Sequence, residues 1–139
     1  MSKGALYIIF LLVFKVSDFM VDDPTFKPYK ELFERDSGVK VPELLTITFS
    51  SSTKFAGSCK FLPYVIQINP RIWYNYDTIQ RLGLVYHELS HCTCFRLKHN
   101  DKLLEDGCQA SIMHSKLNNS KCLKKHWKKY IAEFCLDKR

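Results

Sequence analysis

Residues 87–91 carry the pattern H-E-x-x-H, in which two histidines lie four residues apart. On a helix this spacing places both side chains on one face, so His87 and His91 can direct ring nitrogens at one metal ion. Glu88 then lies beside the first ligand, where its carboxylate can reach a metal-bound water. Because zinc lowers the pKa of such a water to about 7, Glu88 is predicted to act as its general base. The alternative is two surface histidines on a helix.

A catalytic zinc ion needs a third protein ligand and an open coordination position. The sequence favours His99, which is the nearest histidine downstream of the motif. Asp101 is the carboxylate alternative, and Glu105 is a third candidate. Two later histidines, His114 and His126, are also open.

The motif lies in a segment predicted to be a long helix. Asp77 and Thr78 can cap its start, and apolar residues then follow at helical spacing on one broad face. The other predicted elements are a helix over residues 28–36, strands over 44–49, 56–61 and 64–69, irregular structure over 101–113, and a C-terminal helix over 121–134.

These elements predict an α+β domain, with a small, mainly antiparallel sheet packed on the long zinc-binding helix and a C-terminal helix. Pro70 ends the strand over residues 64–69 or confines it to a sheet edge. That strand is therefore the predicted edge with which an extended peptide substrate pairs.

Length and composition indicate one globular domain with a basic surface. The chain has 139 residues, 46% of them hydrophobic, and a formal net charge of +7. The positive charge is spread along the chain except for one dense run over residues 121–129, KCLKKHWKK. Such a run is either a solvated helix face or a contact to an anionic surface.

The N-terminus predicts export. The apolar run Gly4–Phe14 has the length of a signal-peptide core and is too short to span a bilayer alone. Residues 1–20 are predicted to be a signal peptide or membrane anchor, and residues 24–139 one metallopeptidase domain. The protein is then secreted, periplasmic or envelope-associated; the alternative is an N-terminal core element.

The cysteine count agrees with an oxidising compartment, because six cysteines fit three disulfides. Cys92 does not readily face the ion that His91 faces, since consecutive helical residues point in different directions. The favoured pairing joins Cys59 to Cys92 and ties the helix to the strand region. Cys94 with Cys108 would close the loop that carries His99. The remaining cysteines, Cys122 and Cys135, cannot pair along one continuous helix.

The chain resembles a family of small zinc metallopeptidases related to the metzincins. These carry H-E-L-G-H-C, a basic turn with a glycine, a third histidine and a Ser-Ile-Met turn. The matching residues here are His87–Leu89, His91, Cys92, Arg96, His99 and Ser111–Met113, and Ser90 replaces the usual glycine. The resemblance covers roughly residues 24–135, and H-E-x-x-H with S-I-M is its specific part.

The resemblance implies a minimal zincin-like fold with His87, His91 and His99 as zinc ligands. It also implies that Met113 forms a Met-turn, an apolar floor beneath the site that does not bind the metal. The chain departs from the family before the third ligand, where the glycine is missing and the segment is one residue longer. Glycine there would permit a sharp turn after the helix. No motif identifies the group that stabilises the oxyanion; Tyr86, His114 and Tyr130 are candidates.

The sequence therefore predicts a monomeric zinc metallopeptidase, an endopeptidase that acts on a peptide or protein substrate. A DNA-associated protease of the SprT type is an alternative within enzymes. The apolar leader, the even cysteine count and the S-I-M turn argue against it, so no nucleic-acid partner is expected. The alternative from another class is a non-catalytic basic binding module with a structural or vestigial metal site.

Overall fold

A computed structural model describes residues 21–117 and 119–135. A 3-10 turn (Pro24–Phe26) leads into α1 (Lys27–Ser37), β1 (Thr46–Phe49), β2 (Gly57–Phe61), β3 (Tyr64–Ile68), α2 (Pro70–Asn75), α3 (Thr78–Cys94) and α4 (Ser120–Ala132). The predicted α+β class is confirmed, and the predicted leader lies outside the described residues. Within those two ranges, no helix combines the length and apolar character needed to cross a membrane.

The three strands form a mixed sheet in the order β1-β3-β2. Strand β3 runs parallel to β1 and antiparallel to β2, and Ile66 is paired with Ile47 on one side and Cys59 on the other. The prediction of a mainly antiparallel sheet is therefore wrong for one of the two pairings. The chain forms both edge strands, β1 and β2, before it forms the central strand β3. The residue patterns of the single strands do not reveal this order.

Strand β3 is central, so the prediction that it offers an edge to a peptide is wrong. Pro70 does not limit this strand, because it occupies the first turn of α2, where a missing N–H costs no helical hydrogen bond. Asn69 caps α2 by accepting a hydrogen bond from the Arg71 N–H at 3.0 Å. In the described part of the chain, the exposed edge next to the long helix is β2.

Helix α3 begins with a capping box. The Asp77 carboxylate accepts from the Gln80 N–H at 2.9 Å, and the Gln80 side chain accepts from the Asp77 N–H at 3.2 Å. The helix contacts β2, β3, α1 and α4, so most of its second half is buried. Gly83 permits the close approach of α4, because a Cβ there would lie 3.2 Å from the Leu123 side chain.

Helix α4 holds the irregular segment 101–113 against the domain. Lys125 forms an ion pair with Asp106 at 2.6 Å, and the Tyr130 hydroxyl donates to the Gln109 carbonyl at 2.7 Å. Part of the basic run is thus engaged within the molecule. Contact of its remaining charges with an anionic surface stays a prediction.

All six cysteines are paired. The predicted Cys59–Cys92 disulfide is confirmed, with a Cα–Cα distance of 5.7 Å. The predicted pairing of Cys94 with Cys108 is wrong: the other disulfides are Cys94–Cys135 and Cys108–Cys122. The reason is that α4 packs along α3 and beside the irregular segment, so each partner cysteine lies on or just beyond α4.

Candidate metal centre

The three predicted histidines meet at one point. His87 and His91 lie one turn apart on α3, and His99 follows in the loop after the helix. The His91 Nε2 atom lies 3.0 Å from that of His87 and 3.2 Å from that of His99. A tetrahedral zinc ion with Zn–N distances near 2.05 Å separates its nitrogen ligands by about 3.3 Å, so the donor set fits. The three histidines can hold a metal ion.

The other ring nitrogens of the two helical histidines are committed to backbone carbonyls. His87 Nδ1 donates to the Ile112 carbonyl at 2.7 Å, and His91 Nδ1 donates to the Arg96 carbonyl. These contacts assign the hydrogen to Nδ1 in both rings, which leaves two Nε2 lone pairs facing each other. Lone pairs at 3.0 Å repel unless a cation lies between them.

Burial sets the charge state of the centre. It lowers the pKa of His87 to about 4 and lowers that of His91 as well, so both rings are neutral near pH 7, as metal ligation requires. Among the protein groups alone, burial raises the pKa of Glu88 to about 8. A bound dication would lower that pKa, because it favours the carboxylate.

Glu88 packs against the backbone of strand β2. Its side chain is only 4% exposed, and a Cβ at Gly57 would lie 2.9 Å from its Cγ and Oε1 atoms. Gly57 therefore provides the space that the Glu88 carboxylate occupies. Sequence reasoning missed this role; a glycine at the start of an otherwise regular strand was the available signal.

The turn between α3 and His99 forms without glycine. Phe95 adopts the left-handed conformation with φ 54° and caps the helix, and the Arg96 N–H then donates to the Ser90 carbonyl at 3.2 Å. The conformation costs a non-glycine residue about 1–2 kcal/mol. Phe95 stacks on Phe61 with ring centroids 5.8 Å apart. The departure from the family pattern thus does not keep His99 from the centre.

The Ser-Ile-Met segment forms a turn beside the histidines. Met113 is fully buried, and its carbonyl accepts from the Asn100 N–H at 2.9 Å. Since Asn100 follows His99, this bond ties the third histidine to the turn. The role of Met113 as an apolar floor stays a prediction.

The alternative third ligands lie outside the histidine cluster; they are Asp101, Glu105, His114 and His126. Asp101 accepts from the Ser115 N–H at 2.8 Å, and Glu105 is exposed. His114 lines the cleft beside the cluster.

A second group of metal-ligand type, Asp106, Cys108 and His126, lies near α4. The sulfur of Cys108 belongs to a disulfide, and Asp106 is bonded to His126 at 2.8 Å and to Lys125 at 2.6 Å. The disulfide occupies the Cys108 sulfur, and the Asp106 carboxylate is already paired with Lys125 within the protein.

A cleft of about 560 Å³ opens over the histidines. One wall is the start of β2, and the opposite wall is the segment after the Ser-Ile-Met turn. Its apolar lining includes Phe55, Ala56, Leu84, Leu97 and Leu117. The cleft next to the three histidines is therefore largely apolar.

Comparisons of the chain with protein-family models, with curated proteins and with solved structures found no match. The resemblance to the metzincins therefore stays a prediction, and the structure shows only a three-histidine group able to bind a metal ion.

Proposed function

We propose that the protein is a zinc-dependent metallopeptidase in which His87, His91 and His99 hold the metal and Glu88 is the general base. The observation that carries the proposal is the pair of opposed Nε2 lone pairs, 3.0 Å apart, with both Nδ1 atoms committed elsewhere. Three imidazoles with an open side towards a cleft are the donor set of a catalytic zinc site.

A bound zinc ion would supply Lewis-acid activation of water and of the scissile carbonyl. Glu88 lines the same cleft as the three histidines, and its carboxylate has little solvent around it. It accepts a proton from the attacking water and passes it to the leaving amine. The Glu88 side chain packs against β2 in the space that the missing side chain of Gly57 leaves.

His114 is the side chain that we assign to the developing oxyanion. The other two candidates are unsuitable, because Tyr86 is buried and donates to Asp36, and Tyr130 is buried and donates to a backbone carbonyl. His114 lines the cleft, and its Nδ1 accepts from the Lys116 N–H at 3.0 Å. In the neutral ring the hydrogen is then on Nε2, where it can be donated to substrate.

The substrate is proposed to be an extended polypeptide. Residues 56–59 of the β2 side line the cleft, and β2 is an edge strand within the described ranges, so its backbone can pair with a bound chain. Leu84 and Leu117 form an apolar wall for a hydrophobic side chain of the substrate.

The three disulfides are consistent with an oxidising environment. We propose that the peptidase acts outside the cytosol, in a secreted, periplasmic or envelope-associated form.

The test compares Glu88→Gln with the wild-type chain for bound zinc, by elemental analysis, and for casein cleavage. We expect Glu88→Gln to keep its zinc and lose cleavage by at least about a hundredfold, the contribution of a general base. Glu105→Gln is the matched control, because it makes the same change at an exposed loop position. Chelation should abolish wild-type cleavage, and added zinc should restore it.

Unchanged cleavage by Glu88→Gln would reject the mechanism. Zinc bound by a wild-type chain that cleaves nothing would favour the non-catalytic binding module.

A further inference from the structure

Glu133 is the first residue after α4 and is half-buried. Its Oε1 atom accepts hydrogen bonds from the Ser111 hydroxyl at 2.8 Å and from the Ile112 N–H at 2.7 Å. These bonds span 22 and 21 residues of sequence, so they belong to the tertiary structure. One carboxylate thereby fixes two consecutive residues of the Ser-Ile-Met turn.

The turn passes this restraint on to His87. The Ile112 carbonyl accepts from His87 Nδ1 at 2.7 Å, and the Ser111 hydroxyl oxygen accepts from the Met113 N–H at 2.9 Å. Hydrogen bonds to the distal ring nitrogen set the tautomer and the direction of a metal-binding histidine. The position of Glu133 therefore affects where His87 Nε2 points.

The same turn reaches the third histidine, because the Met113 carbonyl accepts from the Asn100 N–H next to His99. The backbone of Glu133 supports the position of His91, the second histidine. Its carbonyl accepts from Arg96 Nη1 at 3.2 Å, and the Arg96 carbonyl accepts from His91 Nδ1.

We propose that Glu133 is a positioning residue that aligns all three histidines of the metal centre without touching the metal. This inference rests on the metal-binding part of the proposed function. It does not depend on peptidase activity.

A glutamate that only attached the end of α4 to the domain would affect stability and leave metal binding unchanged. Tyr130→Phe is the control for this role. It removes a hydrogen bond from α4 to Gln109, two residues before Ser111, and leaves the contacts of Glu133 in place.

The experiment measures zinc affinity by competition with a chromophoric chelator, and the visible absorption of the Co²⁺-loaded chain. We expect Glu133→Ala to weaken zinc affinity about 10- to 100-fold and to shift the Co²⁺ bands, as loss of a group that orients a ligand does. Glu133→Gln should recover most of the affinity, because its amide oxygen can accept both bonds. Tyr130→Phe should unfold at lower urea concentration with wild-type zinc affinity.

Wild-type affinity and Co²⁺ bands in Glu133→Ala would overturn the proposal, as would an equal loss of affinity in Tyr130→Phe. If Glu133→Ala does not fold, Glu133→Asp decides, because it keeps the charge but draws the carboxylate back by one methylene. A wild-type chain that binds zinc without cleaving casein would reject the peptidase and leave this test intact, whereas a chain that binds no zinc would overturn both.

Discussion

The two halves of the metal centre are built in different ways. The helix half, His87, Glu88 and His91, lies within 5 residues of one buried helix. The loop half consists of His99 and the Ser-Ile-Met turn and has no regular structure. Its position depends on hydrogen bonds to Glu133, in the segment after α4 that the Cys94–Cys135 disulfide anchors. Local geometry therefore suffices to place His87, Glu88 and His91, whereas the position of His99 depends on residues far away in sequence.

The largest expected effect is the loss of a helix ligand. We expect His91→Ala to weaken zinc affinity by at least about a thousandfold, since loss of an orienting group alone costs about 10- to 100-fold. His99→Ala should lose less, because the preformed helix pair remains. Competition titrations of both variants test this order; a greater loss in His99→Ala would show that the helix half is no better formed than the loop half.

The next prediction compares the loss of two disulfides that close loops of similar length. Cys94–Cys135 spans 41 residues and anchors the segment after α4, whose Glu133 is hydrogen-bonded to the loop half. Cys59–Cys92 spans 33 residues and joins β2 to the helix half. Replacing either pair by serine should lower the free energy of unfolding by about 3–4 kcal/mol.

Only the Cys94–Cys135 replacement should also weaken zinc affinity, because Cys135 lies two residues after Glu133. Urea unfolding of the two double variants without metal measures their stability, and zinc titration of the same variants measures their zinc affinity. Equal zinc affinities in the two variants would contradict the assignment of Cys94–Cys135 to the loop half.

A smaller effect is expected inside the helix half. Gly57→Ala places a methyl group 2.9 Å from Glu88 Oε1, so the base must move while the histidines stay. We expect kcat to fall about 10- to 100-fold, as for a displaced catalytic group, with unchanged zinc affinity. Lys60→Ala, at an exposed position of β2 outside the cleft lining, is the control in casein assays. A loss of zinc in Gly57→Ala would mean that the substitution disturbs more than the base.

The smallest effect concerns the residue that joins the two halves. Phe95 has φ 54°, a conformation that glycine adopts without strain. Phe95→Ala loses the stacking on Phe61 and keeps the strain, whereas Phe95→Gly loses both. Phe95→Gly should therefore be more stable than Phe95→Ala by about 1 kcal/mol in urea unfolding. The reverse order would show that Phe95 is not strained in the folded state.

The same division explains what the sequence could predict. The capping box at Asp77 and the spacing of His87 and His91 are local patterns, so the long helix and the histidine pair were found from the residues. The pairing of β3 between β1 and β2 was missed because strand patterns carry no information about neighbours. The disulfide partner of Cys94 was missed because the position of α4 depends on packing across the whole domain.

Phe95 and Glu133 illustrate a further limit. A phenylalanine carries no sign that it will adopt a left-handed conformation, which is normally left to glycine or asparagine. A glutamate after a basic helix is normally a solvent-exposed charge, and only the folded structure reveals the turn that Glu133 holds. The helix half of the centre can thus be predicted from the sequence, whereas the contacts that support the loop half cannot.

The position of Glu133 and Cys135 has a consequence for biosynthesis. Both follow α4, the last helix of the described chain, and both hold the loop half in place. During translation the segments with all three histidines emerge before these residues do, because synthesis runs from the N-terminus. A nascent chain therefore carries the three histidines without these contacts, and the proposed metal centre is complete only after the final helix has docked and its disulfides have formed.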